Sequence, residues 1–453
     1  MDQIKYLISE DAIPDQWYNI VADLPEPMQP SLNPQTKEPI GPDDLSALFP
    51  EALIAQEVSS ERYIDIPDEV LQYYRQWRPS PVYRARRLEK ALDTPAHIYY
   101  KYEGTSPVGS HKLNTAIAQA YYNREAGIKH MVTETGAGQW GTALSLAGEA
   151  MGISVKVFMV KVSYKQKPYR CAMIETYGGD VIASPSDQTE SGRAILAQYP
   201  DSPGSLGIAI SEAVEVATQR DDTHYGLGSV LNHVVLHQTI IGREAILQME
   251  MAGEYPDVVI GCSGGGSNFA GLSFPFIGAN LTEGKSTRII AVEPASCPTM
   301  TKGVFAYDYG DVAGLTPIMK MYTLGHGFIP EAAHAGGLRY HGMSPVVSHL
   351  QHLGQIEAKA YTQNACFSAG VQFAKAEGIV PAPEANHAVR SALDEALRCK
   401  AEGKSDVILF NLSGHGHLDM QAYIDFNAGI LNDQAYEVDE VRTALKDLPM
   451  GGE

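Results

Sequence analysis

Basic residues are scarce: 34 lysines and arginines stand against 54 aspartates and glutamates in 453 residues, a formal net charge of −20. Such a surface repels phosphate backbones and anionic headgroups, so neither nucleic acid nor a membrane is expected as a partner. Cysteines are few and odd in number (Cys171, Cys262, Cys297, Cys366, Cys399), with no C-x-x-C pair. A disulfide framework and a cysteine zinc site are therefore not expected, and a reducing cytoplasm fits. No run reaches the roughly 18 apolar residues of a membrane span; even SFPFIGANL is interrupted by Pro275 and Gly278. The opening stretch, MDQIKYLISEDAIPDQWYNI, lacks the apolar core of a secretory signal, so no export is expected.

What is present is an ordinary globular composition, 44% hydrophobic and 19% charged, in a chain long enough for two packed lobes. Six prolines between residues 21 and 45 disfavour regular structure and predict an extended arm over the body. Beyond RPSPVYRARR (78–87), β-branched runs alternate with helical patterns, the signature of an α/β fold with mostly parallel sheets. Strands are expected at 97–103, 130–134, 155–162 and 180–184 in a first lobe, and at 257–262, 288–293 and 406–412 in a second. The expected division is an N-terminal extension over 1–80, an N-terminal lobe over 81–245 and a C-terminal lobe over 246–453.

Lys112, in GSHKLN, precedes a helical stripe of Leu113, Ala116, Ile117, Ala120 and Tyr121 that stops near Gly127. Taken alone it reads as a solvated charge. At a loop-to-helix junction, the positive helix end and partial burial lower a lysine pKa toward the free amine that Schiff-base chemistry needs. GAGQWG (136–141) matches G-x-G-x-x-G, yet the strand after it ends in KVSYK without the acidic residue that holds a nucleotide ribose. What remains is a helix N-terminus with bare amides, suited to a small carboxylate. GCSGGGSN (261–268) stacks three glycines before Ser267 and suits a phosphate; no Walker lysine follows, which favours a cofactor phosphate over a nucleotide. Ser413 in NLSGHG ends another strand, and Glu134 precedes TGAGQWG where a carboxylate can serve as general acid or base.

In order and approximate spacing, GSHKLN, ETGAGQWG, GCSGGGSN, PAPEANHA and NLSGHG resemble tryptophan synthase β chains, from about Arg78 to residue 425. The resemblance implies a fold-type-II enzyme with pyridoxal 5′-phosphate (PLP) in the cleft between the lobes. Lys112 would form the Schiff base, and His111, Gly264, Gly265, Gly266, Ser267 and Asn268 would surround the phosphate. Ser413 would face the pyridine nitrogen, with Ser229 and Glu384 in support. Thr135, Gly136, Ala137, Gly138 and Gln139 would bind the substrate α-carboxylate. Glu134 would assist leaving-group departure and orient indole, so that L-serine and indole yield L-tryptophan. A homodimer is implied, as is a monovalent cation (Na+ or K+) held by backbone carbonyls near the Gly264 and Leu338 turns.

Two departures point to the divergent second type of β chain, which does not depend tightly on an α subunit. Trp140 stands where the commoner chains have histidine, and Arg339, in GLRYHG, where they have aspartate. A cation there would suit an anionic leaving group, making O-phospho-L-serine a candidate donor; equally, Arg339 could pair with a nearby acid and set lobe closure. The nearest rivals are other fold-type-II reactions, of threonine synthase, cysteine synthase or serine dehydratase type, which Glu134 within ETGAGQ argues against. An NAD-dependent oxidoreductase rests on GAGQWG alone, and a non-catalytic relative is opposed by Lys112, Glu134 and Ser413 together.

Overall fold

The structure, a computed structural model, describes residues 3–433, 436 and 438–450. Two sheets carry it. The larger has seven strands in the order Lys5–Tyr6, Val82–Arg84, His97–Tyr102, Val407–Leu412, Val258–Cys262, Arg288–Pro294 and Glu357–Tyr361. From His97–Tyr102 onward neighbours run parallel, and the two N-terminal strands are added antiparallel at one edge. The smaller sheet is wholly parallel, in the order Asp180–Ser184, Ser154–Val160, His130–Thr135 and Thr223–Gly226. This is the expected α/β architecture.

One strand joins a different sheet from the one its sequence position suggests. The segment at 97–103, grouped by sequence with the first-lobe strands, pairs with Val407–Leu412, with Tyr102 opposite Leu412. Hydrophobic pattern marks a segment as a strand but carries no information on its neighbour; here the last strand of the larger sheet in sequence inserts between the third and the fourth. Residues Val258–Cys262 are buried along their whole length, which is why they read as a continuous apolar run. The strand expected at 155–162 stops at Val160, because Lys161 opens the helix Lys161–Gln166. SFPFIGANL lies within one unbroken helix, Ser267–Glu283, that continues through Pro275. Among the described residues no helix is long and apolar enough to cross a membrane.

The helix after Lys112 spans Leu113–Glu125, with Gly127 beyond its end at φ +79°. In place of the expected stripe, every residue from Leu113 to Ala120 is buried. It is packed on more than one side: Tyr74 donates from its hydroxyl to the Asn114 carbonyl (2.7 Å) and Thr115 bonds His237 (3.0 Å). Asn114 also joins a buried network in which Arg78 bridges Glu103 (3.0 Å) and Glu244 (2.8 Å) while Lys101 meets Glu244 (2.6 Å). Within the proline-rich segment, Leu32 exchanges both backbone hydrogen bonds with Ile318 (2.8 and 2.9 Å). All five cysteines are free and buried.

Candidate active site

Three adjacent strands of the larger sheet, ending at Tyr102, Leu412 and Cys262, deliver three loops to one cleft, as expected at the carboxyl ends of a parallel sheet. They carry Lys112, Ser413 and the Gly264–Gly266 turn, and all of these line the cleft. The smaller sheet supplies the opposite wall from the end of His130–Thr135: Glu134, Thr135, Gly136, Ala137 and Gln139. Gly138, between them, is not itself on the wall; its φ of +92° makes the turn that starts the helix Gln139–Met151. The Thr135 hydroxyl accepts from the amides of Gly138 and Gly141 (3.2 Å each), so it shapes this turn as much as it faces the cleft.

Lys112 donates from Nζ to the Gly228 carbonyl and to Ser267 Oγ (3.1 Å). Burial lowers its pKa from 10.5 to about 8, against the opposing pull of the Glu134 carboxylate, so a free amine is accessible near neutral pH. His111 sits next to it with Nε2 3.4 Å from Ser267 Oγ; burial and the Lys112 charge lower its pKa to about 3, which keeps the ring neutral. Glu134 is 3% exposed, and burial raises its pKa from 4.5 to about 7 in spite of a hydrogen bond from Tyr225. An amine and a carboxyl with pKa values displaced toward each other in one cleft are suited to proton transfer.

The glycine turn has room for an anion. Gly266 takes φ +108° to start the helix Ser267–Glu283, whose first amides point out of the turn. A Cβ at Gly265 would lie 2.4 Å from Ser229 Oγ, and one at Gly264 would lie 2.4 Å from the Gly337 carbonyl oxygen. These close approaches require glycine and bring Ser229 and the 336–338 turn against the loop. The Asn268 side chain is used within the protein, donating to the Cys262 carbonyl (2.9 Å) and accepting from Asn411 (2.6 Å), so only its backbone is left for a ligand. The donor set of glycine-turn amides, Ser267, neutral His111 and a lysine of lowered pKa fits PLP, and Ser413, 3.7 Å from Cys262 Sγ, completes the far end.

Glu384 ties the two walls together, accepting from Gln139 Nε2 and from the Gly337 amide (2.9 Å each). Gln139 is thus held by a carboxylate at the start of the helix Ala385–Glu402, which packs on the larger sheet. Trp140 donates to Thr133 (2.6 Å), and its ring lies under Gly228, where a Cβ would meet it at 2.6 Å. Arg339, grouped by the sequence reading with the substrate residues, does not line the cleft: it is 6% exposed and donates to the Pro330 carbonyl (2.5 Å). Although Leu338 lines the wall, its neighbour's side chain points elsewhere, because adjacent residues in the 336–338 turn diverge. Neither does Arg339 form an ion pair among the described residues.

Cys262, Gly228 and Gly414 line the cleft from within motifs already apparent in the sequence. Arg170 and Leu206 line it too, from segments with no sequence signal, as does the 336–338 turn beside the GLRYHG motif. Arg170 is buried and shares Asp419 with Lys167 (3.3 and 2.6 Å). Among the described residues no cluster of three or more His, Cys, Asp or Glu could hold a metal.

The family model for pyridoxal-phosphate dependent enzymes matches residues 74–414. A tryptophan synthase beta chain 2 from Methanosarcina acetivorans is 58% identical over 95% of this chain and 98% of its own length. Its counterpart from Thermotoga maritima is 58% identical over 92% and 99%. Among solved structures, a fungal L-serine ammonia-lyase from Rhizomucor miehei (TM-score 0.56, 17% identity, 78% of this chain and 98% of that one) shares the fold. So does threonine deaminase isoform 2 from Solanum lycopersicum (TM-score 0.57, 19% identity, 80% and 94%). The lysine, glycine turn and Glu134 loop of the cleft all fall within the matched span, and the chain belongs to the tryptophan synthase β-chain family of pyridoxal-phosphate-dependent enzymes.

Proposed function

We propose that the chain makes L-tryptophan by replacing the β-substituent of L-serine with indole, with PLP at Lys112. The observation that carries this reading is the presence of Lys112 and Glu134 in one buried cleft, with pKa values drawn to about 8 and about 7. The first suits a base at the substrate Cα; the second suits a group that gives and takes protons at Cβ and at the incoming nucleophile. PLP, when bound, supplies an electron sink for the pair left at Cα.

The amides of residues 264–268 and the positive end of their helix would hold the cofactor phosphate. Ser413, a neutral hydroxyl lining the cleft, would face the cofactor's ring nitrogen without holding a proton on it as a carboxylate would. The amides of residues 135–139 hold the substrate carboxylate, oriented by the Gln139–Glu384 link between the walls. Lys112 removes the Cα proton and later returns it. Glu134 protonates the departing β-oxygen and then receives the indole N–H. Burial of both groups excludes the water that would divert the reaction.

O-phospho-L-serine is the alternative donor, and a monovalent cation near Gly264 and Leu338, a homodimer and independence from an α subunit extend the reading. Arg339 contacts Pro330 in this structure, so it reaches an anionic leaving group only if the 336–339 turn moves.

The test uses protein reconstituted with PLP and supplied with indole and either L-serine or O-phospho-L-serine, with sulfide and nucleophile-free reactions in parallel. Tryptophan formation, with a borohydride-stable label at Lys112, is expected. Pyruvate or a sulfur amino acid as the main product, or a label on another lysine, overturns the reading.

A further inference from the structure

We propose that Tyr225 is the positioning residue of Glu134: its phenol holds the carboxylate in its working orientation, so that part of the site's proton-transfer capacity belongs to this pair. The inference rests on the function proposed above and assigns a residue to it.

The geometry begins in the smaller sheet. Thr223–Gly226 lies parallel to His130–Thr135 with Tyr225 opposite Val132. Side chains alternate across a sheet, so Val132, Glu134 and Tyr225 share a face and Glu134 is the diagonal neighbour of the phenol. The Tyr225 hydroxyl donates to Glu134 Oε2, and both residues are 3% exposed. Thr133, next in line, commits its hydroxyl to the Gly226 carbonyl (2.6 Å) and accepts from Trp140, and its pull on the Glu134 carboxyl is weaker than that of Tyr225, which leaves the phenol as the main side-chain restraint. Among the described residues Glu134 has no ion pair to replace it.

Tyr225 is itself fixed. Its amide donates to the Leu48 carbonyl (3.0 Å), and its ring packs 6.1 Å from that of Phe49. The ring also forms part of the wall of an apolar cavity of about 660 Å³, with Leu227, Val230 and Tyr340. One side of the residue therefore faces apolar space and the other ends on the catalytic carboxyl.

The groups that act on the pair come from three elements. Lys112, from the loop before its helix, favours the ionised carboxylate. Asp311, in the loop between the antiparallel strands Val304–Tyr309 and Ile318–Thr323, and Tyr340, just after the 336–338 turn, oppose ionisation of the phenol together with Glu134 itself. Burial holds the phenol pKa well above 10, so Tyr225 keeps its proton at working pH and acts as a donor, never as the base. A buried carboxyl without this donor can rotate, and its neutral form is favoured further.

The experiment compares holoenzyme carrying Tyr225→Phe, Glu134→Gln and both, with indole and L-serine, and follows kcat against pH. Tyr225→Phe should lower kcat about tenfold or more, the worth of a hydrogen bond to a charged group. It should move the Glu134-linked inflection to higher pH by about one unit, while KM for L-serine changes less than about threefold. In the Glu134→Gln background the added loss should be under about twofold, because a residue acting through Glu134 has nothing left to act on.

The carboxyl stretch in wild-type-minus-Glu134→Gln infrared spectra reads the same titration without turnover. Should Tyr225→Phe not fold, Tyr225→3-fluorotyrosine keeps the shape with a more acidic hydroxyl and should lower the inflection. Equal losses in both backgrounds, or an inflection unmoved by either change, overturn the proposal. Wild-type protein that forms no tryptophan overturns the proposed function instead, and the infrared titration still decides the role of Tyr225.

Discussion

Replacing Glu134 by glutamine should stabilise the protein while disabling it, with a pH dependence that identifies the cause. In the unfolded chain this carboxyl ionises near 4.5, whereas burial in the folded protein holds its proton to about 7. Between those values the folded state binds more protons than the unfolded state, so stability falls as pH rises and levels off above about 7. The span from 4.5 to about 7, at about 1.4 kcal/mol per pH unit, amounts to about 3 kcal/mol at pH 8. Glutamine has no charge to desolvate and can still accept from Tyr225.

With an unfolding entropy of about 2.1 cal/mol/K per residue, a 453-residue chain gains about 1 °C in Tm per kcal/mol, so about 3 °C is expected. Differential scanning calorimetry of both holoproteins from pH 4.5 to 8 should show curves that coincide at the acid end and diverge to that gap, while kcat falls about 10²-fold or more. A gap that is the same at every pH would refute the burial argument, and a variant of full activity would refute the role of Glu134.

Arg78→Met should cost about 3–5 kcal/mol, read as a lower Tm, because it leaves Glu103 and Glu244 buried with Lys101 as the remaining cation. Gly138→Ala should impair serine binding by more than about tenfold in KM: its Cβ would fall 2.6 Å from Arg170 Cβ at φ +92°, distorting the carboxylate loop. Gly127→Ala, at φ +79° with nothing within 4 Å of its Cβ, should cost only about 1–2 kcal/mol of backbone strain and leave KM unchanged. Arg339→Ala should leave KM for L-serine within about threefold, since its guanidinium meets Pro330 and not the cleft; a selective loss of O-phospho-L-serine turnover would show that the turn moves.

Much of the site was legible because its chemistry sits in short contiguous motifs. Glycines at positions where a Cβ would strike a neighbour, such as Gly264 and Gly265, leave a mark in this sequence as a contiguous run. The GAGQWG turn could be separated from a dinucleotide site by the missing acidic residue alone. Arg339 shows the limit: its place beside Leu338 was correct as sequence, yet which of two adjacent side chains enters a cleft depends on turn geometry. The helix after Lys112 shows another, since a periodic stripe predicts one buried face and cannot reveal neighbours on the remaining sides.

By itself the sequence determined the fold class and singled out Lys112, the two glycine turns and Glu134 as candidates, because local backbone needs and residue chemistry are written in adjacent positions. Tertiary structure alone decided that His97–Tyr102 pairs with Val407–Leu412, that Glu384 holds Gln139 across the cleft, and that Tyr225 meets Glu134. Those pairings join residues 91 to more than 300 positions apart. Only the folded chain sets such distances, and with them the burial that brings Lys112 and Glu134 into the range where protons move.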